Sequence, residues 1–215
     1  MTAFVLILSS PSGGGKTTIA RTLLAAREDL GYSVSATTRA PRNGERDGVD
    51  YFFLTRPEFQ RRVAAGAFLE WAEYSGQLYG TPAAEVDRLL VSGRHVIMDI
   101  EVQGAAQVRQ RRSDVVSIFV LPPSVDELLA RLGARGDHPP ADLERRLRQA
   151  TVEIDAAADY DYIVVNADRT QAVAEVAAII DAEAHRAHRQ VTVLEAIAGF
   201  KRELAEAADQ VVRPS

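Results

Sequence analysis

The run Ser9-Ser10-Pro11-Ser12-Gly13-Gly14-Gly15-Lys16-Thr17-Thr18 follows an apolar stretch and precedes a helical pattern. Its residue types and their order suit an anion. Gly13, Gly14 and Gly15 can take backbone dihedrals denied to other residues, so consecutive N–H groups can converge on one phosphate. A helix beginning behind them adds the partial positive charge of its N-terminus. In such a cradle, which also contains Ser12 and Thr18, Lys16 bridges the β- and γ-phosphates of a nucleoside triphosphate and the Thr17 hydroxyl ligates magnesium. Ser10 stands where the pattern G-x-x-x-x-G-K-[ST] has its first glycine. That departure removes no group that touches phosphate. The bland alternative is a glycine-rich turn that binds nothing. Gly-Lys-Thr-Thr after an apolar strand disfavours it, because lysine and metal ligand arrive together.

A second cluster suits another anion. Arg39 and Arg42 flank Pro41, three residues apart, so both guanidinium forks can converge on a single phosphate. Tyr51 and Tyr79 can donate phenolic hydrogen bonds to the remaining oxygens. A nucleoside monophosphate carries close to two negative charges, with a second pKa of about 6. Alone, Arg-x-Pro-Arg describes a solvated loop as readily as a site. With the phosphate cradle upstream, the functional reading is the stronger.

The elements that must position these groups alternate as in a parallel sheet covered by helices on both faces. Strands are predicted over Ala3–Ser9, Tyr32–Ala36, His95–Ile100, Val115–Leu121 and Tyr162–Val165, several as uninterrupted apolar runs. Helices are predicted over Lys16–Arg27, Pro82–Val91, Val102–Arg111, Val125–Leu132, Ala141–Ala157 and Thr170–His188. Two segments break the rhythm. Residues 35–81 hold most of the aromatics and read as a small mixed lobe inserted into the sheet. Residues 132–146 contain Gly133, Gly136, Pro139 and Pro140 beside Arg135, a composition that suits a mobile lid. The core is then about 1–34, 82–131 and 147–190. A helical tail over 191–215 carries apolar Val193, Leu194, Ile197, Phe200 and Leu204, to pack on the core or on a second copy.

Composition bounds the function. A chain of 215 residues, 47% hydrophobic and 26% charged, suits one α/β domain with inserted sub-lobes. It has no cysteine, which excludes disulfides, thiolate–zinc sites and cysteine nucleophiles. Of the four histidines only His185 and His188 have helical ligand spacing, and no third ligand accompanies them. The net charge of −5 argues against a broad nucleic-acid surface. No apolar run approaches the roughly 20 residues that span a bilayer, and no secretory signal is visible. No membrane partner is expected, and cytoplasmic placement is.

Further motifs narrow the reading. Ser35-Ala36-Thr37-Thr38-Arg39-Ala40-Pro41-Arg42-Asn43-Gly44-Glu45 is followed by Gly48-Val49-Asp50-Tyr51-Phe52-Phe53, Glu70-Trp71-Ala72, Leu78-Tyr79-Gly80-Thr81 and Asp99-Ile100-Glu101-Val102-Gln103-Gly104. In order and spacing, from Ala3 to about Glu183, the chain resembles guanylate kinase. The resemblance implies an α/β P-loop NTPase fold, its parallel sheet flanked by helices, with an inserted GMP-binding lobe and a short lid. It implies ATP and GMP as substrates and magnesium as the metal. On the GMP side it places Ser35, Arg39, Arg42, Glu45, Tyr51, Glu70, Tyr79, Thr81, Asp99 and Glu101. A carboxylate facing guanine N1 and N2 holds its donors and repels adenine, the role implied for Glu70, with Ser35 and Thr81 near the base and Glu101 assisting at N2. The family usually has aspartate at the position of Glu101, whose extra methylene keeps the charge and lengthens the reach. Asp99 resembles a Walker-B aspartate that contacts magnesium with Thr17. On the ATP side the resemblance implies Arg131, Arg135 and Arg146 at the phosphates and Asn166 near the adenine. The usual Asn-Asp-Asp is Asn166-Ala167-Asp168 here. With Lys16 and Arg39, these three arginines of the lid and adjoining helices form the implied catalytic set.

The implied reaction is in-line transfer of the ATP γ-phosphoryl to a GMP phosphate oxygen, which is already ionised and needs no general base. A ribose bisphosphate phosphokinase looks similar around the cradle but lacks the Arg-x-Pro-Arg to Tyr-Gly-Thr base site. Guanylate-kinase-like scaffold modules bind phosphorylated peptides but have lost the cradle, which is intact here.

Overall fold

The computed structural model describes residues 2–74, 76–133 and 140–212, the side chains of 140–142 and 209–212 excepted. Arg135 therefore lies outside the described residues.

A five-stranded parallel sheet forms the centre, in the order β2-β7-β1-β8-β9. Its strands are β1 (Val5–Ser9), β2 (Leu30–Tyr32), β7 (His95–Asp99), β8 (Val115–Leu121) and β9 (Tyr162–Val165). Successive side chains of a strand point to opposite faces. Leu6 and Leu8 accordingly meet Ile19 and Leu23 of α1 (Lys16–Ala26) and Val176 and Ile180 of α7 (Arg169–Ala184). Val5 and Ile7 meet Val86 and Leu89 of α3 (Ala83–Val91) and Ala105 and Val108 of α4 (Val102–Arg111). All five residues of β1 are fully buried, so its unbroken apolar run is what a strand covered on both faces requires. The chain departs from β1 toward β2 and β7 on one side and later reaches β8 on the other. Such a switch leaves a crevice at the carboxyl ends of the strands, where ligands bind in open α/β sheets.

The inserted lobe has its own four-stranded sheet, in the order β4-β3-β6-β5. Its strands are β3 (Ala36–Thr37), β4 (Phe52–Phe53), β5 (Phe68–Tyr74) and β6 (Gln77–Pro82). Helix α2 (Arg56–Ala64) covers it, with the Thr55 hydroxyl accepting from the Glu58 N–H as a cap. Phe59 and Phe68 stack at 4.4 Å in a small separate core with Ala36 and Leu78. The single strand predicted over Tyr32–Ala36 is in fact two, because the chain leaves the central sheet after Tyr32 and enters the lobe sheet at Ala36.

Helix α5 (Val125–Gly133) and helix α6 (Pro140–Asp155) pack through Leu128, Leu132, Leu143, Leu147 and Ala150. Helix α6 ends two residues earlier than predicted and continues as a 3₁₀ turn, Ala156–Asp159. Helix α7 stops at Ala184, so His185 and His188 do not share a helix; the His185 ring bonds the Asp181 carbonyl instead. The tail is one helix, α8 (Val191–Val212), with Val193, Leu194, Ile197, Phe200 and Leu204 exposed. No described helix is both long and apolar enough to cross a membrane.

Candidate active site

The glycine-rich loop closes the gap between β1 and α1 by turning twice into the left-handed region, at Gly13 (φ 91°) and Gly15 (φ 100°). Alternating left- and right-handed residues aim successive N–H groups at one point. Several of those N–H groups hold the loop itself. The Ser12 N–H donates to Glu153, that of Gly14 to the Pro11 carbonyl, and those of Thr18 and Ile19 to the Gly15 carbonyl. The N–H groups of Gly13, Gly15, Lys16 and Thr17 have no acceptor among the described residues. Ser10, at the departure from the consensus, is buried with its hydroxyl on the Pro11 carbonyl at 3.0 Å. A Cβ on Gly14 would lie 2.7 Å from the Ser10 Cβ, so Ser10 fills space inside the loop and points no group outward.

Four side chains, from Leu128, Leu132, Asn166 and Arg131, brace the loop from outside. Leu128 and Leu132 of α5 pack against Gly13, leaving 3.3 and 3.2 Å to the position of an added Cβ. The Asn166 amide, buried at the end of β9, donates to the Gly14 carbonyl at 2.9 Å. Arg131 donates to the Asn166 carbonyl at 2.9 Å and to the Gly14 carbonyl at 3.4 Å, with Glu127 accepting at 2.8 Å. The structure thus brings Arg131 and Asn166 to the cradle, with the Asn166 side chain against the loop backbone. Arg146 is half-buried on α6.

At the end of β7 the Asp99 carboxylate accepts from the Thr17 hydroxyl at 2.5 Å. Its other oxygen is buried without a hydrogen-bond partner, 3.8 Å from the Lys16 ammonium. Lys16 donates to Glu101 at 2.9 Å, which is where the longer side chain of Glu101 reaches. Burial opposes the lysine's charge, but Glu101 and Asp99 outweigh it and hold the ammonium pKa above its ordinary value. Thr17 and Asp99 offer oxygen donors, one of them a buried carboxylate oxygen with nothing bonded to it. That set fits a hard cation such as magnesium, which takes one or two protein oxygens and completes its shell with phosphates and water. No cluster of three or more acidic, histidine or cysteine ligands exists among the described residues, so an all-protein cage is not what this site offers.

In the lobe, Arg39 forms a two-pronged pair with Glu45 at 2.9 and 3.0 Å. Glu45 also accepts from the Arg42 N–H at 2.7 Å, tying the turn around Pro41. Arg39 lies 5.4 Å from the ring centroid of Tyr51, and Tyr51 meets Tyr79 edge-on at 6.3 Å. The side chain of Arg42 is exposed, and Ser35 accepts the Phe52 N–H through its carbonyl. Four of the residues expected around an acceptor phosphate (Arg39, Glu45, Tyr51 and Tyr79) therefore make one contiguous patch.

Glu70 is the least expected of the site residues in its setting. A strand glutamate is ordinarily exposed, yet this one is 7% exposed. A register irregularity between Phe68 and Glu70 sets it opposite Thr81, whose hydroxyl donates to it at 2.6 Å. Its other oxygen would lie only 2.8 Å from a Cβ on Gly104 of α4, so the carboxylate fits because that residue is glycine. Burial pushes the carboxyl above the usual range, against the opposing pull of the Thr81 hydrogen bonds and the Arg111 charge. Helix α4 is fastened to β5 further on, by Gln107 bonding both the N–H and the carbonyl of Trp71 and by Arg111 donating to the Phe68 and Leu69 carbonyls. The stretch from Asp99 to Gly104 thus touches the cradle through Thr17 and Lys16 and the lobe through Glu70.

Sequence reasoning missed Gly104 as a contact of the site, although the motif that contains it was recognised, and missed Glu153 altogether. The heptad relation of Arg146 to Glu153, which puts both on one helix face, was the available signal for the latter.

Comparison with known proteins follows the same lines. The family model for guanylate kinase matches residues 3–183. A guanylate kinase of Chelativorans sp. (strain BNC1) is 47% identical over 203 residues, covering 94% of this chain and 93% of that protein. One from Rubrobacter xylanophilus is 50% identical over 176 residues, covering 82% and 92%. Among solved structures, guanylate kinase from Anaplasma phagocytophilum is similar with a TM-score of 0.72 at 36% identity, over 90% of this chain and 93% of that one.

Proposed function

The chain belongs to the guanylate kinase family and transfers the γ-phosphoryl of ATP to GMP; from that premise we propose which of its residues serve each substrate. The observation that carries the assignment is the Asp99–Gly104 stretch, which contacts the cradle at one end and the buried Glu70 at the other.

On the donor side, the N–H groups of Gly13, Gly15, Lys16 and Thr17 receive the triphosphate, and the Lys16 ammonium spans its β- and γ-phosphates. Ser12, Gly14 and Thr18 shape that cradle. Arg131 and Arg146, with Arg135 from outside the described residues, neutralise charge as the phosphoryl group moves. Asn166 supports the ATP side from behind the loop. Thr17 and Asp99 would hold magnesium, which when bound draws charge from the phosphate oxygens.

On the acceptor side, Arg39, Arg42, Tyr51 and Tyr79 take the GMP phosphate, with Glu45 holding the Arg39 guanidinium and the Arg42 backbone N–H. The Glu70 carboxylate accepts from guanine N1–H and N2–H₂, Ser35 and Thr81 lie beside the base, and Glu101 serves N2. Adenine would set an acceptor at N1 against that buried carboxylate and leave it unpaired, which is costly. A phosphate oxygen of GMP attacks the γ-phosphorus in line, and the bond to the β-phosphate oxygen breaks with its electrons leaving on ADP. The attacking oxygen is already ionised, so catalysis rests on alignment and charge neutralisation. Residues 35–81 act as the acceptor lobe; of the lid expected over 132–146, residues 134–139 lie outside the described residues. The reaction belongs in the cytoplasm, where both nucleotides are available.

ADP release measured with GMP, AMP, CMP and UMP as acceptors tests the base assignment. GMP is expected to dominate by several orders of magnitude in kcat/KM, about 10⁴ where a polar site meets an unmatched base. Equal rates with AMP refute it.

A further inference from the structure

Glu153 is a carboxylate that the reaction described so far does not use. It sits on α6, 3% exposed, with both oxygens engaged. One accepts from the Ser12 N–H at 3.3 Å and the other from Gln149 at 2.9 Å. Burial, and after it the charge of Glu101, push its carboxyl above the usual range, while Gln149, the Ser12 N–H and Lys16 oppose them. A buried negative charge beside a loop built for a triphosphate works against both stability and nucleotide binding. What offsets that cost in this structure is its bond to the Ser12 N–H.

That bond has a definite place in the loop's economy. Ser12 precedes the first left-handed residue, Gly13, and its peptide orientation sets where the following N–H groups point. Glu153 holds the Ser12 N–H and Pro11 holds that of Gly14, and the intervening Gly13 N–H is left for phosphate. Two turns earlier on the same face of α6 lies Arg146, and between them Ala150 packs on Leu128 and Leu132, which press on Gly13. We propose that Glu153 is a positioning residue for phosphoryl transfer, fixing the mouth of the phosphate loop to the helix that brings Arg146 to the donor.

The inference rests on reading the loop as the ATP site and is independent of how the guanine side is assigned. Reach and charge separate cleanly in its test. Glu153→Gln keeps an oxygen at the same distance without the charge, and Glu153→Asp keeps the charge but falls a methylene short. Steady-state kinetics with ATP and GMP are measured for both variants and for Glu153→Ala, with melting temperatures and calorimetric binding of magnesium-ADP. The Asp and Ala variants are expected to lose about tenfold to a hundredfold in kcat, the cost of a misplaced reacting group, with KM for GMP within about twofold. The Gln variant is expected to keep kcat within about threefold, because its amide oxygen still accepts from Ser12. If Asp matches the wild type and Gln matches Ala, charge is what matters and the proposal fails. It fails equally if all three variants turn over normally. Tighter ADP binding in Gln and Ala at unchanged kcat would mark the carboxylate as a placeholder that nucleotide displaces. Should the Ala variant not fold, the Gln–Asp contrast decides alone. Wild-type affinity for ADP in Lys16→Ala would instead overturn the reading of the loop as the ATP site, whatever Glu153 does.

Discussion

Gly104→Ala isolates the fit between α4 and Glu70. An added Cβ would stand 2.8 Å from one Glu70 oxygen, 3.2 Å from its carboxyl carbon and 3.4 Å from its Cγ. Ordinary contacts between such atoms need about 3.5 Å, so the carboxylate must retreat by roughly half an ångström or more. Its partner oxygen is fixed at 2.6 Å to Thr81 and cannot follow without straining that bond. The helix itself gains from the change, by up to about 1 kcal/mol, because alanine is the better helix former. That gain offsets part of the roughly 1–3 kcal/mol that crowding a packed site costs, so the net change in stability should be small while function falls. A misplacement of this size predicts a fall of about tenfold to a hundredfold in kcat/KM for GMP, or roughly 1.4 to 2.8 kcal/mol. KM for ATP should stay within about twofold and the melting temperature should shift by no more than a few degrees. Coupled assays with each substrate varied in turn, beside thermal denaturation, provide the readouts. Unchanged GMP kinetics would refute the claim that Gly104 makes room for Glu70. Equal losses on both substrates with a lower melting temperature would point to general disruption instead.

Glu70 also sets a pH dependence. Its folded pKa is raised by burial, so it contributes stability below its unfolded pKa of about 4.3 that is lost as pH rises through the folded value. Guanine needs the ionised form, so GMP affinity should fall as pH is lowered through that same raised value. Calorimetry between about pH 5 and pH 8 should show a steeper decline for wild type than for Glu70→Gln, which controls for titration of the nucleotide phosphate; parallel declines would exclude the role. Lys16→Ala should lose about 10² to 10³ in turnover while binding GMP at least as tightly as the wild type, since the proposed role of the ammonium is on the donor side; lost GMP affinity by calorimetry would contradict this. Gly15→Ala combines a φ of 100° with a Cβ only 2.3 Å from the Asn166 amide. Denaturant unfolding should show a loss of about 2 kcal/mol or more, and ADP binding should disappear; a variant as stable as wild type would mean that loop and Asn166 separate freely.

The central sheet was legible because its strands are apolar on both faces: β8 and β9 were predicted to the residue, and β1 and β7 to within two. Their periodicity states their environment. The inserted mixed sheet was legible as a separate lobe, but the division between Tyr32 and Ala36 was not. Both halves favour strand, and only the partners across the ladder decide to which sheet each belongs. The course of the glycine-rich loop was readable because its glycines, lysine and threonine stand side by side between an apolar strand and a helix. The setting of Glu70 was not, since its burial depends on a glycine 34 positions later in the chain. Glu153 lies still further from its partner, separated from Ser12 by 141 positions. Local pattern identifies groups that work beside one another; it is silent where a single long-range contact gives a residue its use.

Lys16 and Glu101 meet at 2.9 Å on the line between the donor and acceptor sides. Under the proposed assignment each would have another claimant, the triphosphate for the lysine and the guanine amino group for the carboxylate. Whichever substrate draws its own partner away releases the other, so the two sides share one bargaining chip. The expected result is heterotropic linkage, in which ATP would sharpen the affinity for GMP and GMP that for ATP by the same factor. Glu101 is 55% exposed, which limits the pair to about 1 kcal/mol and the mutual enhancement to about fivefold. Glu101→Gln would then leave two sites that bind as strangers.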